Sequence, residues 1–387
     1  MRTADRYLPA SPPLPLSTFF DRRERAGSVF PFSAPRGRWY FLGRNALWHG
    51  LRSLRFDEGD EVLVPAYNSG AEVDAIVAAG LSPRFFRVGI DLMPDVHDMQ
   101  SRISQRTRAL LAIHYFGFPQ PLTELTAFCT RNGLLLVEDC APALFSRDGH
   151  VPLGTTGVFS VFSPHKTLPL PHGGFLVING PKIDPPAEPE EPPPSYGIEL
   201  LPRRLLQGVE MRYPELMRWA RRTFRLQMGA WNGPNGSSGA TYDESFDPAT
   251  ADMGASTVVQ ELALRSNPAF VVQARRRNYR RLGSLLPRDG QLSPDLPVGV
   301  CPLFFPFFVA DRAAAVRSLK AKGIELFPYW STPHPAIPAG AFPEAEHLRA
   351  HLLALPVYQG LSREDVEYLA GAVSVVARAQ YAMAPAQ

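Results

Sequence analysis

Between residues 42 and 178, apolar runs of strand length alternate with stretches whose apolar positions recur at helical spacing. This alternation constrains the fold of the 387-residue chain more than any other feature. Residues 44–56 (RNALWHGLRSLRF) carry apolar side chains at helical intervals, and EVLVP at 61–65 reads as a buried strand. A helix over 69–79 follows, then a strand around 83–88, a helix near 93–103 and a strand at 108–114. The series continues with a helix over 121–131 and a strand at 134–139 (LLLVED), and ends with strands at 158–163 (VFSVFS) and 174–178 (GFLVI). Strands that are apolar throughout, most of them separated by helices, predict an α/β fold. Its mainly parallel central sheet is covered by helices on both faces.

The chain is too long for one core, so a second, smaller domain is expected. Residues 1–30 read as an extended, proline-containing arm and 31–255 as the large domain. Within it, 180–255 breaks the rhythm with PPAEPEEPPP, an Arg-rich helical piece near 203–226 and a Gly/Asn/Ser loop at 229–240, and reads as an irregular insertion or lobe. Residues 256–387 form the small α+β domain. It opens with a long helix from Ser256 to about Leu286, broken at Asn267-Pro268, followed by a strand in VCPLFFPFFV and a helix over 311–322. A terminal helix over 362–379 starts at Ser362, with Glu364 and Asp365 in its first turn.

The net charge of +3 is spread along the chain, and the Arg clusters (Arg221, Arg222, Arg225; Arg275, Arg276, Arg277) read as solvated helix faces, so a nucleic-acid partner is not expected. Cys129, Cys140 and Cys301 follow no metal or disulfide pattern, which fits a reducing compartment and no metal site. The N-terminus lacks a leader pattern and no apolar run approaches a membrane span, so a cytoplasmic protein with no membrane partner is expected. One imbalance points to chemistry. Of forty basic residues only Lys166, Lys182, Lys320 and Lys322 are lysines. Lys182 lies in a loop, and Lys320 and Lys322 end an amphipathic helix. Lys166 alone sits between two apolar strands, ahead of Gly173-Gly174. A deprotonable amine is what lysine offers and arginine does not.

In open α/β sheets, ligands bind at the carboxyl ends of the strands. Asp139 closes the strand LLLVED, Lys166 follows across two short strands, and Gly43 precedes the first helix of the sheet. Singly, the aspartate reads as a cap, the lysine as structural and the glycine as a helix start. Together they supply an amine, a carboxylate and the free N–H groups of a helix N-terminus, which are the three groups that pyridoxal 5'-phosphate (PLP) requires.

At these residues the sequence resembles the DegT/StrS family of PLP-dependent sugar aminotransferases. The likeness runs through GDEVLVPAY (59–67), AGLSPRFFRV (79–88), TRALLAIHYFGFP (107–119), GLLLVEDCAPA (133–143), PLGTTGVFSVFSPHKTLPLPHGG (152–174) and LPVYQGLSREDVEYL (355–369). It implies the PLP-dependent transferase fold type I, with Lys166 as the Schiff-base lysine and Asp139 as the partner of the ring nitrogen. Gly43, Arg44 and Asn45 fall at the helix start that binds phosphate in the family, and Ser163 is a further phosphate ligand. His114 matches a recurrent histidine near the site; a strand-end histidine satisfied by its neighbours fits it equally. The chain departs from the pattern at Pro142, where glutamine is usual, at Ser69, which replaces a stacking residue and leaves Tyr67 to compensate, and at Val161, where serine is usual. The Gly-Tyr-Asn-x-Arg element lent by a neighbouring subunit is absent, and the loop around 229–254 takes its place.

The resemblance implies a homodimeric aminotransferase that moves an amino group from a donor such as glutamate to a keto substrate, which a nucleotide-linked keto sugar would satisfy. Two alternatives share the scaffold: a PLP lyase or 3-dehydratase, whose family members replace the lysine by histidine, and a PLP-fold protein of reduced turnover acting in binding or assembly. A dinucleotide-binding protein is disfavoured, since no Gly-x-Gly-x-x-Gly follows the first strand.

Overall fold

The computed structural model describes residues 6–15, 25–193, 201–217, 219 and 246–383. A seven-stranded sheet organises the chain: β1 (Gly37–Tyr40), β2 (Glu61–Pro65), β3 (Ser82–Phe86), β4 (Thr107–Ile113), β5 (Leu135–Asp139), β8 (Phe159–Phe162) and β9 (Gly174–Ile178). The intervening β6 (Arg147–Asp148) and β7 (Val151–Pro152) form a small separate hairpin. The sheet order is β1-β9-β8-β5-β4-β2-β3. All neighbours pair in parallel except β9, which is antiparallel to both β1 and β8. Strand β4 explains the centre: Ala109 to Ile113 are all buried, so both faces of the strand meet apolar side chains.

Helices α1 (Gly43–Ser53), α2 (Ala71–Ala78), α3 (Val96–Arg102) and α4 (Leu122–Asn132) connect these strands. Helix α1 stops earlier than its apolar spacing suggests because Arg55 takes a left-handed conformation at φ 55. Lys166 falls on one helical turn, α5 (Pro164–Thr167), that the sequence does not announce. Also unanticipated were β1, the β6–β7 hairpin, a helix (Pro343–His351) and the strand Leu352–Pro356 that follows it.

Helix α6 (Leu201–Arg212) covers part of the predicted Arg-rich piece; residues 218 and 220–226 of that piece, Arg221, Arg222 and Arg225 among them, and the 229–240 loop lie outside the described residues. Helices α7 (Thr257–Arg265) and α8 (Pro268–Leu285) meet at the expected Asn267-Pro268 break, where the Asn267 side chain accepts from the Phe270 N–H. Beyond them β10 (Phe304–Phe308) pairs antiparallel with β11 (Leu352–Pro356). With α9 (Arg312–Ala321), α10 (Pro343–His351) and α11 (Arg363–Met383), these strands enclose a second core around Phe305, Phe307, Leu355 and Leu369. At the start of α11, Ser362 and Asp365 exchange side-chain-to-backbone hydrogen bonds at 2.9 and 3.1 Å, a reciprocal cap. From the N-terminal arm, Leu8 pairs with Ile324, and its N–H donates to the Gly323 carbonyl.

The arginine cluster at 275–277 is not uniformly solvated. Arg275 is 1% exposed and its guanidinium is filled by the carbonyls of Thr167, Pro302 and Leu303 and by Gln359 Oε1. Successive helical residues point about 100° apart, so one of three adjacent arginines turns inward. Among the described residues no helix is long and apolar enough to cross a membrane.

Candidate active site

The carboxyl ends of β2, β5 and β8 converge with the N-terminus of α1 around a cavity of about 170 Å³. Gly43, Arg44, Ser69, Asp139, Ser163 and Lys166 line it, so six of the nine residues singled out in the sequence come together; Glu72, His165 and Phe327 join them.

The anion-binding end begins at Leu42, which caps α1 in an extended conformation without any side-chain hydrogen bond. The first N–H groups of a helix have no acceptor within it, and the helix dipole adds positive potential there. A Cβ on Gly43 would overlap Ser163 Oγ, so the helix start and the strand-end serine approach each other only because the residue is glycine. Across the same junction, a Cβ on Gly174 would overlap the Leu42 carbonyl, which explains why β9 begins with glycine, while Gly173 before it takes a positive φ of 139.

At the other end, Asp139 Oδ1 accepts the Ala141 N–H at 2.8 Å. Burial, and then the Glu72 carboxyl, push the Asp139 acid up to about 7 against the opposing charge of Lys166. Glu72 Oε2 accepts both the Ser69 hydroxyl at 2.7 Å and the Ser69 N–H at 3.1 Å. Ser69 therefore serves Glu72 and cannot stack on a ring; Phe327 and Val161 supply apolar wall instead.

Lys166 is fixed through its neighbours. The Thr167 carbonyl, one residue on, accepts from Arg275 Nη2 at 2.7 Å and Gln359 Nε2 at 3.2 Å, so groups from beyond the large sheet hold the turn. His165 donates its Nδ1 proton to the Gly173 carbonyl at 2.9 Å, which leaves Nε2 as an acceptor. Burial, and then the nearby Lys166 charge, push this imidazole down to about 3, so it is neutral at ordinary pH.

Three expected site residues lie outside the cavity. Tyr67 packs against Tyr115 and Trp330 with the Arg349 guanidinium 5.2 Å from its ring centre, so it does not stand in for the missing stacking residue. Asn45 turns its amide to the carbonyls of Thr250 and Ala251. His114 accepts the Gln120 N–H at Nδ1 and, at 3.0 Å, donates from Nε2 to Glu138. Glu138 also accepts from Gly154, Thr156 and Gly157; burial raises its acid, but the hydrogen bond and charge of His114, and then the Gly157 and Gly154 N–H groups, hold it below the usual carboxylate range. His114 is thus a strut behind the sheet end. Its proximity to Glu138 and Cys140 does not make a metal site, since both Glu138 oxygens already receive two donors.

Residues 43–188 match the DegT/DnrJ/EryC1/StrS aminotransferase family. GDP-perosamine synthase of Vibrio cholerae is 35% identical over 140 residues, 35% of this chain and 38% of that protein, so the chain spans well under half the length of this relative. UDP-N-acetyl-3-dehydro-alpha-D-glucosamine 3-aminotransferase of Acidithiobacillus ferrooxidans is 26% identical over 347 residues, covering 85% of this chain and 80% of that protein. Among solved structures, the putative sugar aminotransferase Spr1654 from Streptococcus pneumoniae in its PMP form superposes with TM-score 0.71 at 17% identity, over 97% of this chain and 99% of that one. DesV of S. venezuelae gives TM-score 0.62 at 23% identity over 88% and 84%. These likenesses establish the fold: an α/β architecture with a seven-stranded, mostly parallel sheet, as in fold-type-I sugar aminotransferases.

Proposed function

We propose that the chain, whose residues 43–188 match the DegT/DnrJ/EryC1/StrS aminotransferase family, is a PLP-dependent aminotransferase with Lys166 and Asp139 at its centre. One observation carries the reading: an amine, a buried carboxyl and an open helix N-terminus line the same cavity.

The donor set fits the cofactor, and the glycine cradle at Gly43, which any Cβ would fill, fits its phosphate. When bound, PLP supplies a carbonyl that condenses with amines and a protonated ring that takes up negative charge from the carbon beside the nitrogen. The first-turn N–H groups of α1 and the Ser163 hydroxyl would hold the phosphate, with the Arg44 guanidinium adding charge. Asp139 would hold the ring nitrogen and favour its protonated form. Lys166 would hold the cofactor through Nζ and would carry a proton to and from the substrate carbon. Phe327, Val161 and Leu47 line the cavity with apolar surface.

The donor in this reading is an amino acid such as glutamate and the acceptor a nucleotide-linked keto sugar. Support comes from the relatives, whose names include GDP-perosamine synthase, a UDP-linked 3-aminotransferase and a dTDP-linked transaminase. A homodimer, as in the family, completes the proposal. A second reading, a PLP-fold binding or assembly protein of low turnover, draws on Ser69 and Pro142, which stand where the family places a stacking residue and a glutamine.

The test is spectroscopic. Purified protein mixed with PLP should gain a visible absorption band that glutamate bleaches and a keto-sugar nucleotide restores. Absence of the band would sink the cofactor assignment; a band that glutamate leaves unchanged would favour the binding protein.

A further inference from the structure

One cluster of candidate ligands lies outside the cofactor cavity. Helix α10 ends in His347-Leu-Arg-Ala-His351, two histidines one helical turn apart. Cysteine spacing gave no reason to expect a metal in this chain, but residues at i and i+4 share one face of a helix. The two imidazole rings stand 4.4 Å apart, centre to centre, and are tilted by 39°. An ion about 2.0–2.1 Å from one nitrogen of each ring, joined at nearly a right angle, needs ring centres about 4.5 Å apart. The pair is already at chelating distance.

His351 is held as a ligand needs to be. Its backbone carbonyl accepts the Val309 N–H at 2.9 Å, and its Nδ1 lies 3.1 Å from the Val309 carbonyl. A carbonyl can only accept, so Nδ1 carries the proton and Nε2 keeps its lone pair. Metal-bound histidines are oriented by the same kind of outer bond. His347 is exposed, with the Phe308 ring 5.9 Å away on one side. The other charges on α10 do not oppose a cation here. Arg349 lies about 200° round the helix from each histidine, and its guanidinium turns inward to the carbonyls of Ala66, Asn68 and Trp330. Glu344, a turn before His347 on the same face, is engaged with Arg87 at 3.5 Å. The last turn of a helix is also the negative end of its dipole, which favours a bound cation.

We propose that His347 and His351 form a surface chelate for a divalent late transition-metal ion (nickel, copper or zinc), with water filling the remaining positions. Imidazole suits these ions, whereas calcium and magnesium prefer oxygen ligands. The chelate uses no group of the cofactor cavity, so its test is independent of the PLP assignment.

The experiment titrates Ni²⁺ into untagged protein by calorimetry, comparing wild type with His347→Gln, His351→Asn and, as a control, His97→Gln. His97 is an exposed histidine on α3. Asparagine at 351 keeps a side-chain N–H for the Val309 carbonyl and removes the ligand nitrogen. Wild type and H97Q should take up one Ni²⁺ per chain at the strongest site. H347Q and H351N should bind it at least roughly tenfold more weakly, since loss of even an outer-shell partner costs that much. A site that survives unweakened in either of those two variants, is lost in H97Q, or is missing from wild type overturns the proposal. Pulsed electron paramagnetic resonance of wild type with one equivalent of Cu²⁺ gives a second readout that does not depend on any variant's folding. Two coupled imidazole nitrogens are expected, and a spectrum with one or none overturns the proposal too.

Discussion

Arg275 Nη2 donates to the Thr167 carbonyl at 2.7 Å, so a buried guanidinium on α8 fixes the turn that presents Lys166. The same group fills the carbonyls of Pro302 and Leu303, and burial pushes it down to about 10. Arg275→Met preserves much of the volume but leaves three buried carbonyls short of a donor, so a stability loss of roughly 3 kcal/mol is expected. Urea denaturation measures it. A loss below about 1 kcal/mol would mean that water or neighbouring side chains replace the guanidinium.

The Gly43–Ser163 contact makes a paired prediction. Gly43→Ala places a methyl on Ser163 Oγ, which should push the helix start away from the phosphate site. PLP affinity should fall by roughly tenfold, about 1.4 kcal/mol. In the Gly43→Ala, Ser163→Gly double variant the clash is gone, and part of the affinity should return. Additive losses across the two substitutions would show that the overlap is not what matters.

Lys166→Ala should abolish the visible absorption of bound cofactor, whereas Lys182→Ala should leave it intact, since Lys182 lies in an exposed loop. Asp139→Ala should retain some cofactor through the phosphate end and lose turnover by on the order of 10²–10³-fold, the scale of breaking a buried charged pair. A visible band that survives in Lys166→Ala would move the attachment point elsewhere.

How much of this was legible beforehand follows from which contacts are local. Strand β4 could be read because every residue from Ala109 to Ile113 is apolar and buried. Asp139, Lys166 and Gly43 could be read because residue type and place at an element's end coincide. Glu72 was missed for the opposite reason. Ser69-Gly-Ala-Glu72 is a capping pattern, and its local reading is complete without Asp139, which is remote in sequence and lines the same cavity only because β5 lies beside β4 and β4 beside β2. Tyr67 misled because an aromatic near a strand end has two directions open to it, and here it points to Trp330 and Arg349. Arg275 was hidden in a run of three arginines whose helical phase alone decides which one is buried.

Acid sensitivity supplies the last test, and the ligand-free protein suffices for it. Burial pushes His165 from its ordinary 6.5 down to about 3 and His172 down to about 4. As the pH falls below 6.5 the unfolded chain binds a proton at each imidazole while the folded one does not, so each costs stability, progressively down to its folded value. Between pH 7.5 and 5.5 the loss is about 1.4 kcal/mol per histidine. Asp139 acts in the opposite sense, because its folded acid at about 7 takes up a proton in that window when the unfolded carboxyl does not. The net slope of wild type is therefore shallow, and the histidine contribution has to be read by difference. His165→Asn should raise the stability at pH 5.5 relative to pH 7.5 by about 1.4 kcal/mol compared with wild type, and Asp139→Asn should shift it the other way. If His165→Asn leaves the pH dependence of urea unfolding unchanged, His165 is protonated in the folded protein, and its hydrogen bond to Gly173 does not hold it as a neutral acceptor beside Lys166.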